Sequence, residues 1–329
     1  MFGLYRLSLA VAVLLYHMGV TPYGMYPGVA AVVGFLMVSG YAMAGHIAVN
    51  FPAAADIPAF YRDRLLRLYP QYLFYMAVAM VTVFALNWRY YIFQIGPLSW
   101  PALIANLALV PLDFHMFSDR INHMMLIPQA WTLGLEALFY LLLPWLLRWP
   151  SLFLAALLAA AATFVLAAWN FLDFQSFGYR LMPAPLLWFL AGVALQRRLW
   201  RIYLAIAGFT LACIGALWLD GQLQPGAAAS VLAGGACGLV LMPLLARLRR
   251  RRFDDWCANV SYGVYLCHCI ILAGLIGYWQ QGWAIGLAVG AAILCGWGSW
   301  RWIERPVAQL RKTLRLSRDN DLALGQEIV

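Results

Sequence analysis

The chain has 329 residues, 64% of them hydrophobic and 11% charged, with a formal net charge of +9 and a mean hydropathy of +0.77. Soluble domains carry about 25% charged residues, so this composition excludes a large soluble core and predicts a polytopic membrane protein. The basic excess does not point to nucleic acid, because its arginines are grouped between apolar runs, as in the cytoplasmic loops of membrane proteins.

Apolar runs of spanning length fall at about 4–20, 28–49, 69–86, 130–148, 151–169, 183–197, 202–219, 228–246, 259–278 and 283–303. The first contains Arg6 and His17 and has no small-residue cleavage site after it, so it is expected to be retained as a span rather than removed as a signal peptide. A shorter run at 101–112, bounded by Pro97, Pro101 and Pro111, is too short to cross. Cationic clusters lie at Arg62/Arg64/Arg67, Arg197/Arg198/Arg201, Arg247 to Arg252, and Arg305/Arg311/Lys312/Arg315. If every cluster is cytoplasmic, an even number of crossings separates each pair, which makes the 101–112 run a re-entrant or interfacial helix. The expected architecture is all-α, with about ten transmembrane helices and both termini in the cytoplasm. One membrane domain covers residues 1–306, and 307–329 form a short cytoplasmic tail, polar and disordered from about Ser317. The segment 87–129 then faces outward with Trp88, Tyr90, Tyr91, Trp100, His115 and His123, aromatic residues suited to a membrane interface. Six cysteines lie mostly within apolar runs, and no disulfide is expected.

Arg6 and His17 are eleven residues apart. On an α-helix this separation turns through roughly 1100°, so both share one face about 16 Å apart along the axis. Ionisable groups at such depth are costly and usually functional. A buried imidazole that stays neutral can accept a proton, which makes His17 a candidate general base. In YRDRLLRLYPQY (61–72), Arg64 and Arg67 share a face and Arg62 precedes them, a possible phosphate clamp as well as ordinary positive-inside charge. In PQAWTLGLEALFYLLLP (128–144), Glu136 lies inside an apolar span and needs a partner, structurally Arg180 or functionally the imidazole. In GFLMVSGYAMAG (34–45), Ser39 and Gly40 permit close helix packing, and Ser39 and Tyr41 are candidate lining residues. Cys267-His268-Cys269 has metal-ligand residue types, but neighbours on one helix point about 100° apart, so no metal is expected.

Together these segments resemble the membrane acyltransferase 3 family, integral-membrane O-acyltransferases of bacterial surface glycans and related acceptors. The resemblance runs from Arg6 to about Pro306. It rests on Arg6 with His17; Phe35 with Ser39-Gly40-Tyr41, one position shifted; Arg64, Arg67 and Pro70; Trp131-Thr132-Leu133 with Glu136, Phe139 and Tyr140; Ser261 to His268; and Trp302, Glu304 and Pro306. One departure is Asp63 before Arg64, with an arginine at 62 instead, which leaves the third phosphate ligand open.

The resemblance implies an acyl-CoA donor, most often acetyl-CoA, entering from the cytoplasm of a bacterial inner membrane. The acceptor is a hydroxyl on a carbohydrate or lipid-linked glycan at the outer face, with partners from polysaccharide synthesis. On this expectation Arg64 and Arg67, with Arg62 or Arg6, hold the CoA phosphates. His17 is the catalytic base, oriented by Glu136, and Ser39, Tyr41, Trp131 and His268 line the substrate path. The alternative is a lipid- or glycan-linked transporter or flippase without acyl transfer, which polar groups in the membrane also suit.

Overall fold

The computed structural model describes residues 1–85, 99–249, 251–279 and 281–327, the last nine of these as backbone. The described chain is helical, with no strand among these residues. In order, the helices are α1 (Gly3–His17), α2 (Pro27–Asn50), α3 (Ile57–Met80), α4 (Trp100–Ala108), α5 (Asp119–Asn122), α6 (Trp131–Arg148) and α7 (Pro150–Ala168). They continue with α8 (Leu186–Gln196), α9 (Trp200–Leu219), α10 (Ala227–Arg247), α11 (Arg252–Gly274), α12 (Gly282–Ser299) and α13 (Arg305–Glu327).

Eight continuous helical stretches among the described residues are long and apolar enough to cross a membrane, and α1 and α8 are shorter apolar helices. Each matches one of the expected runs, although three differ in extent. The third helix begins at Ile57 rather than near 69, and α11 begins at Arg252 rather than near 259. The apolar count misses these first turns because they carry charge, yet Asp56 accepts from Ala53 N at 2.9 Å and Pro58 lies in the opening turn of α3. The last span does not end at Trp302–Pro306 either. A π-helical stretch, Trp300–Glu304, joins α12 to α13 just before Pro306.

The expectation of a disordered polar tail is likewise corrected, since α13 continues helical to Glu327. Arg311 and Arg315 reach back to Asp63 on α3, and Arg318 lies 3.6 Å from Asp56. The run at 101–112 forms the nine-residue α4 and a following 3-10 stretch, Val110–Phe117. Trp88, Tyr90 and Tyr91 lie outside the described residues. All six cysteines are free thiols.

Small residues set the helix spacing that forms the site. A Cβ on Gly40 would stand 2.0 Å from Phe189 O, and one on Gly192 would stand 1.9 Å from Met37 O, so α2 and α8 touch backbone to backbone. Gly3 meets α11 in the same way, at 1.7 Å from Asp254 O. At its other end α1 reaches His268 and Cys269, so α1 and α11 run side by side in one direction. Against α2 the order reverses, with Tyr16 beside Gly28 and Phe2 beside Tyr41. The short α1 is therefore held between two longer helices, with Arg6 and His17 directed inward.

Candidate active site

A partly open cavity lies among α1, α2, α3, α6 and α11. Three cations line it, Arg6, Arg64 and Arg67, and one carboxylate, Glu136. Apolar side chains of α2 form one wall, while Ser39, Thr132, Tyr140, Ser261, Tyr262 and Tyr265 supply hydroxyls.

The three arginines differ in their commitments. Arg64 is buried and donates to Asp63, with Nη2 2.9 Å from His46 Nε2 and Nη1 3.1 Å from Met43 Sδ. Asp63 in turn accepts from Arg311 at 3.0 and 2.9 Å and from Arg315 at 3.2 Å. Arg67 pairs with Glu304 at 2.8 Å and lies 4.8 Å over the ring of Tyr262. Arg6 has neither an ion pair nor a side-chain hydrogen bond among the described residues, and it is the uncommitted cation of the cavity. Arg62 is exposed and lies with Arg311, Arg315 and Arg318 around a separate small cleft. Its expected place in the clamp is corrected by helix geometry: two steps from Arg64 turn about 200°, whereas Arg67 at three steps returns to the same face.

Glu136 accepts hydrogen bonds from the hydroxyls of Ser39 and Tyr140, the latter one turn ahead on α6. Its expected role as the orienting partner of His17 is therefore replaced. The structural alternative also fails, because the guanidinium of Arg180 lies over the rings of Trp131 and Tyr179, at 5.9 and 5.2 Å.

The partner of His17 is His268: Nδ1 of the first lies 2.9 Å from Nε2 of the second, and the rings stack at 24°. His268 is wholly buried, and its Nδ1 lies 2.8 Å from the carbonyl of Tyr265. His17 retains partial exposure. Tyr265 lines the cavity and His268 follows it by one turn, about 4.5 Å of helix rise, so the histidine pair sits just beyond that end.

Of the expected lining residues, Ser39 lines the cavity. Tyr41 is turned to Phe2 at 4.9 Å, Trp131 packs with Tyr179 and His115, and His268 stands behind His17. Tyr140, Ser261, Tyr262 and Tyr265, which carry the family resemblance without an expected site role, line the cavity, and His46 and Arg311 stand behind Arg64. Tyr140 follows Glu136 by four residues, the spacing that places two side chains together on a helix. His46 and Arg311 had no such signal, because their contacts are long-range in the chain.

The donor set around His17 also differs from the sequence expectation. Cys267 turns away, its Sγ 3.7 Å from Ala292 O, but His17 arrives from α1 against His268 and Cys269. The ligand atoms of His17, His268 and Cys269 all lie within 4.8 Å of one another. A metal there would have to displace the contact between His17 Nδ1 and His268 Nε2, which lie 2.9 Å apart.

This arrangement is that of a multi-pass membrane protein with a cationic cavity and a histidine pair one helix turn beyond its Tyr265 wall. Residues 4–301 match the family model of the acyltransferase 3 domain, and the chain belongs to that family. The protein is thus a membrane acyltransferase. It is also similar to an uncharacterized protein of Aquifex aeolicus (strain VF5), 34% identical over 155 residues, which cover 43% of this chain and 68% of the relative. No solved structure matches.

Proposed function

We propose that this acyltransferase moves an acyl group, acetyl as the default, from acyl-CoA to a hydroxyl of a carbohydrate or lipid-linked glycan. The carrying observation is the convergence of Arg6, Arg64 and Arg67 on one cavity whose Tyr265 wall lies one helix turn before His268, the partner of His17. CoA phosphates are attracted by guanidinium groups, and Arg6 has no ion pair or side-chain hydrogen bond among the described residues to give up. Arg64 and Arg67 arrive already oriented by Asp63 and Glu304. With the arginine clusters in the cytoplasm, the donor enters from that side of a bacterial inner membrane and the acceptor from the other.

In the chemical step His17 removes the acceptor hydroxyl proton as its oxygen attacks the thioester carbonyl. The tetrahedral intermediate then collapses, the C–S bond breaks, and the imidazolium returns the proton to the CoA sulfur. An acyl ester and free CoA result.

Acetyl-CoA binding to the full chain in nanodiscs tests the reading, with wild type compared against an Arg6→Ala/Arg67→Ala double variant. Saturable binding that falls at least tenfold in the double variant is expected. A folded wild type that binds no acetyl-CoA overturns the donor assignment and favours a flippase. Transfer that survives His17→Ala overturns the base assignment.

A further inference from the structure

We infer that His268 is a positioning residue, setting which nitrogen of His17 carries the hydrogen and so which one is free to act as base. The inference rests on the reading of His17 as the base and adds the device that makes it one.

The hydrogens are fixed along a chain of contacts that starts at a group with no choice. The Tyr265 carbonyl oxygen can only accept, so His268 Nδ1, 2.8 Å away, carries the hydrogen. A neutral imidazole has one N–H, which leaves His268 Nε2 as an acceptor. That atom lies 2.9 Å from His17 Nδ1, so His17 donates from Nδ1. The remaining nitrogen of His17, Nε2, then carries the lone pair. Cys269 Sγ at 3.6 Å is a second, weaker neighbour of the same Nδ1 and leaves this order unchanged.

The anchor of the chain is itself fixed. The Gln129 amide nitrogen donates to the carbonyls of Tyr265 and Leu266, at 2.8 and 2.9 Å, and Thr132 meets the Tyr265 hydroxyl at 2.6 Å. These bonds tie the opening of α6 to the stretch of α11 that holds His268. Burial completes the distinction between the two histidines. His268 has no exposed surface and cannot meet substrate, while His17 is partly open.

The arrangement parallels a serine-protease triad, where a buried group on Nδ1 selects the tautomer and leaves Nε2 to take the proton. There, forcing the wrong tautomer costs about 10⁴ in kcat. Here the selecting group is neutral, so it orients His17 without adding a negative charge beside it. Without His268, His17 loses the acceptor that holds hydrogen on Nδ1, and hydrogen on Nε2 would block the base.

The test uses the full chain in nanodiscs, labelled with ¹⁵N-histidine, with the His17 signals assigned by their loss in His17→Gln. At pH 7.5 the inference expects His17 to carry hydrogen on Nδ1 and an unprotonated Nε2. His268→Leu should lower kcat by about 10²–10⁴ while leaving acetyl-CoA affinity within twofold. His268→Gln, whose Oε1 can accept from His17 Nδ1, should recover most of that loss. Wild-type His17 with hydrogen on Nε2 overturns the inference, as does unimpaired kcat in His268→Leu. If His268→Leu does not fold, the wild-type spectrum and His268→Gln still decide. Retained transfer in His17→Ala defeats the base reading instead, a result separate from the tautomer spectrum.

Discussion

Arg311 grips both carboxylate oxygens of Asp63, with Nε at 3.0 Å and Nη2 at 2.9 Å, across 248 residues of sequence. The same carboxylate accepts from Arg64, which lines the cavity, so α13 is tied through one buried acid to a cation of the site. Asp63 and Arg311 are 5% and 11% exposed, and removing one partner of a buried pair typically costs about 3–5 kcal/mol. The remaining partners, Arg64, Arg315 and His46, should reduce that cost. Arg311→Ala is expected to lower the thermal midpoint in detergent and to weaken acetyl-CoA binding. Arg62→Ala, which removes an exposed charge outside the cavity, should change neither. Equal effects of the two substitutions, read by thermal scanning and donor titration, would count against this linkage.

The order of the apolar helices was legible in the sequence because bilayer thickness sets the length of most of them, although among the described residues α1 and α8 are shorter than a crossing needs. The inward stripe of Arg6 and His17 was legible too, since helical periodicity alone places both on one face. The partners were not. His17 finds His268 across 251 residues, and nothing in either local segment says that α1 lies parallel to α11. Arg62 looked equivalent to Arg64 and Arg67 as a charge, yet helical phase turns it away from the cavity. The tail looked disordered because it is polar, although its arginines are matched to Asp63 and Asp56 far earlier in the chain.

Arg6 is expected to matter more for donor binding than its single charge suggests. Arg64 and Arg67 already serve Asp63 and Glu304, whereas Arg6 has no such claim on it. Arg6→Gln should weaken acetyl-CoA binding at least tenfold, about 1.4 kcal/mol. It should also flatten the dependence of affinity on ionic strength, because screening acts on the charge it removes. An affinity within twofold of wild type would rule out Arg6 as the principal phosphate ligand.

Backbone contact between α2 and α8 supports the wall that carries Ser39. A methyl group at Gly40 would lie 2.0 Å from Phe189 O, a rigid helical carbonyl, so the helices must separate to admit it. Overpacking of this kind costs about 1–3 kcal/mol. Gly40→Ala is therefore expected to lower the thermal midpoint, while Gly208→Ala, where nothing lies within 4 Å, should not. The same separation would move Ser39 from Glu136, so transfer activity should fall in Gly40→Ala before the protein unfolds. Full stability in that variant would show that the helices part without cost.

Asp113 gives the connecting segment between α4 and α6 a distinct pH response. Its carboxyl is fully buried, neither oxygen has a hydrogen-bond partner, and burial pushes its pKa up from the ordinary 3.8 to about 8. The folded chain therefore holds a proton there that the unfolded chain releases near pH 4. Between about pH 4 and 8 folding binds the proton, so this contribution to stability is full below pH 4 and is lost as pH rises through about 8. Neighbouring His115 works in the opposite sense: burial lowers its pKa from 6.5 to about 4, so its contribution is present above pH 6.5 and lost as pH falls through about 4. Asp113→Asn keeps the shape and removes the titration. Its thermal midpoint in detergent should exceed that of wild type by a margin that grows from pH 6 to about pH 8 and then levels off. Parallel curves for the two proteins over that range would mean that Asp113 ionises freely in the folded chain.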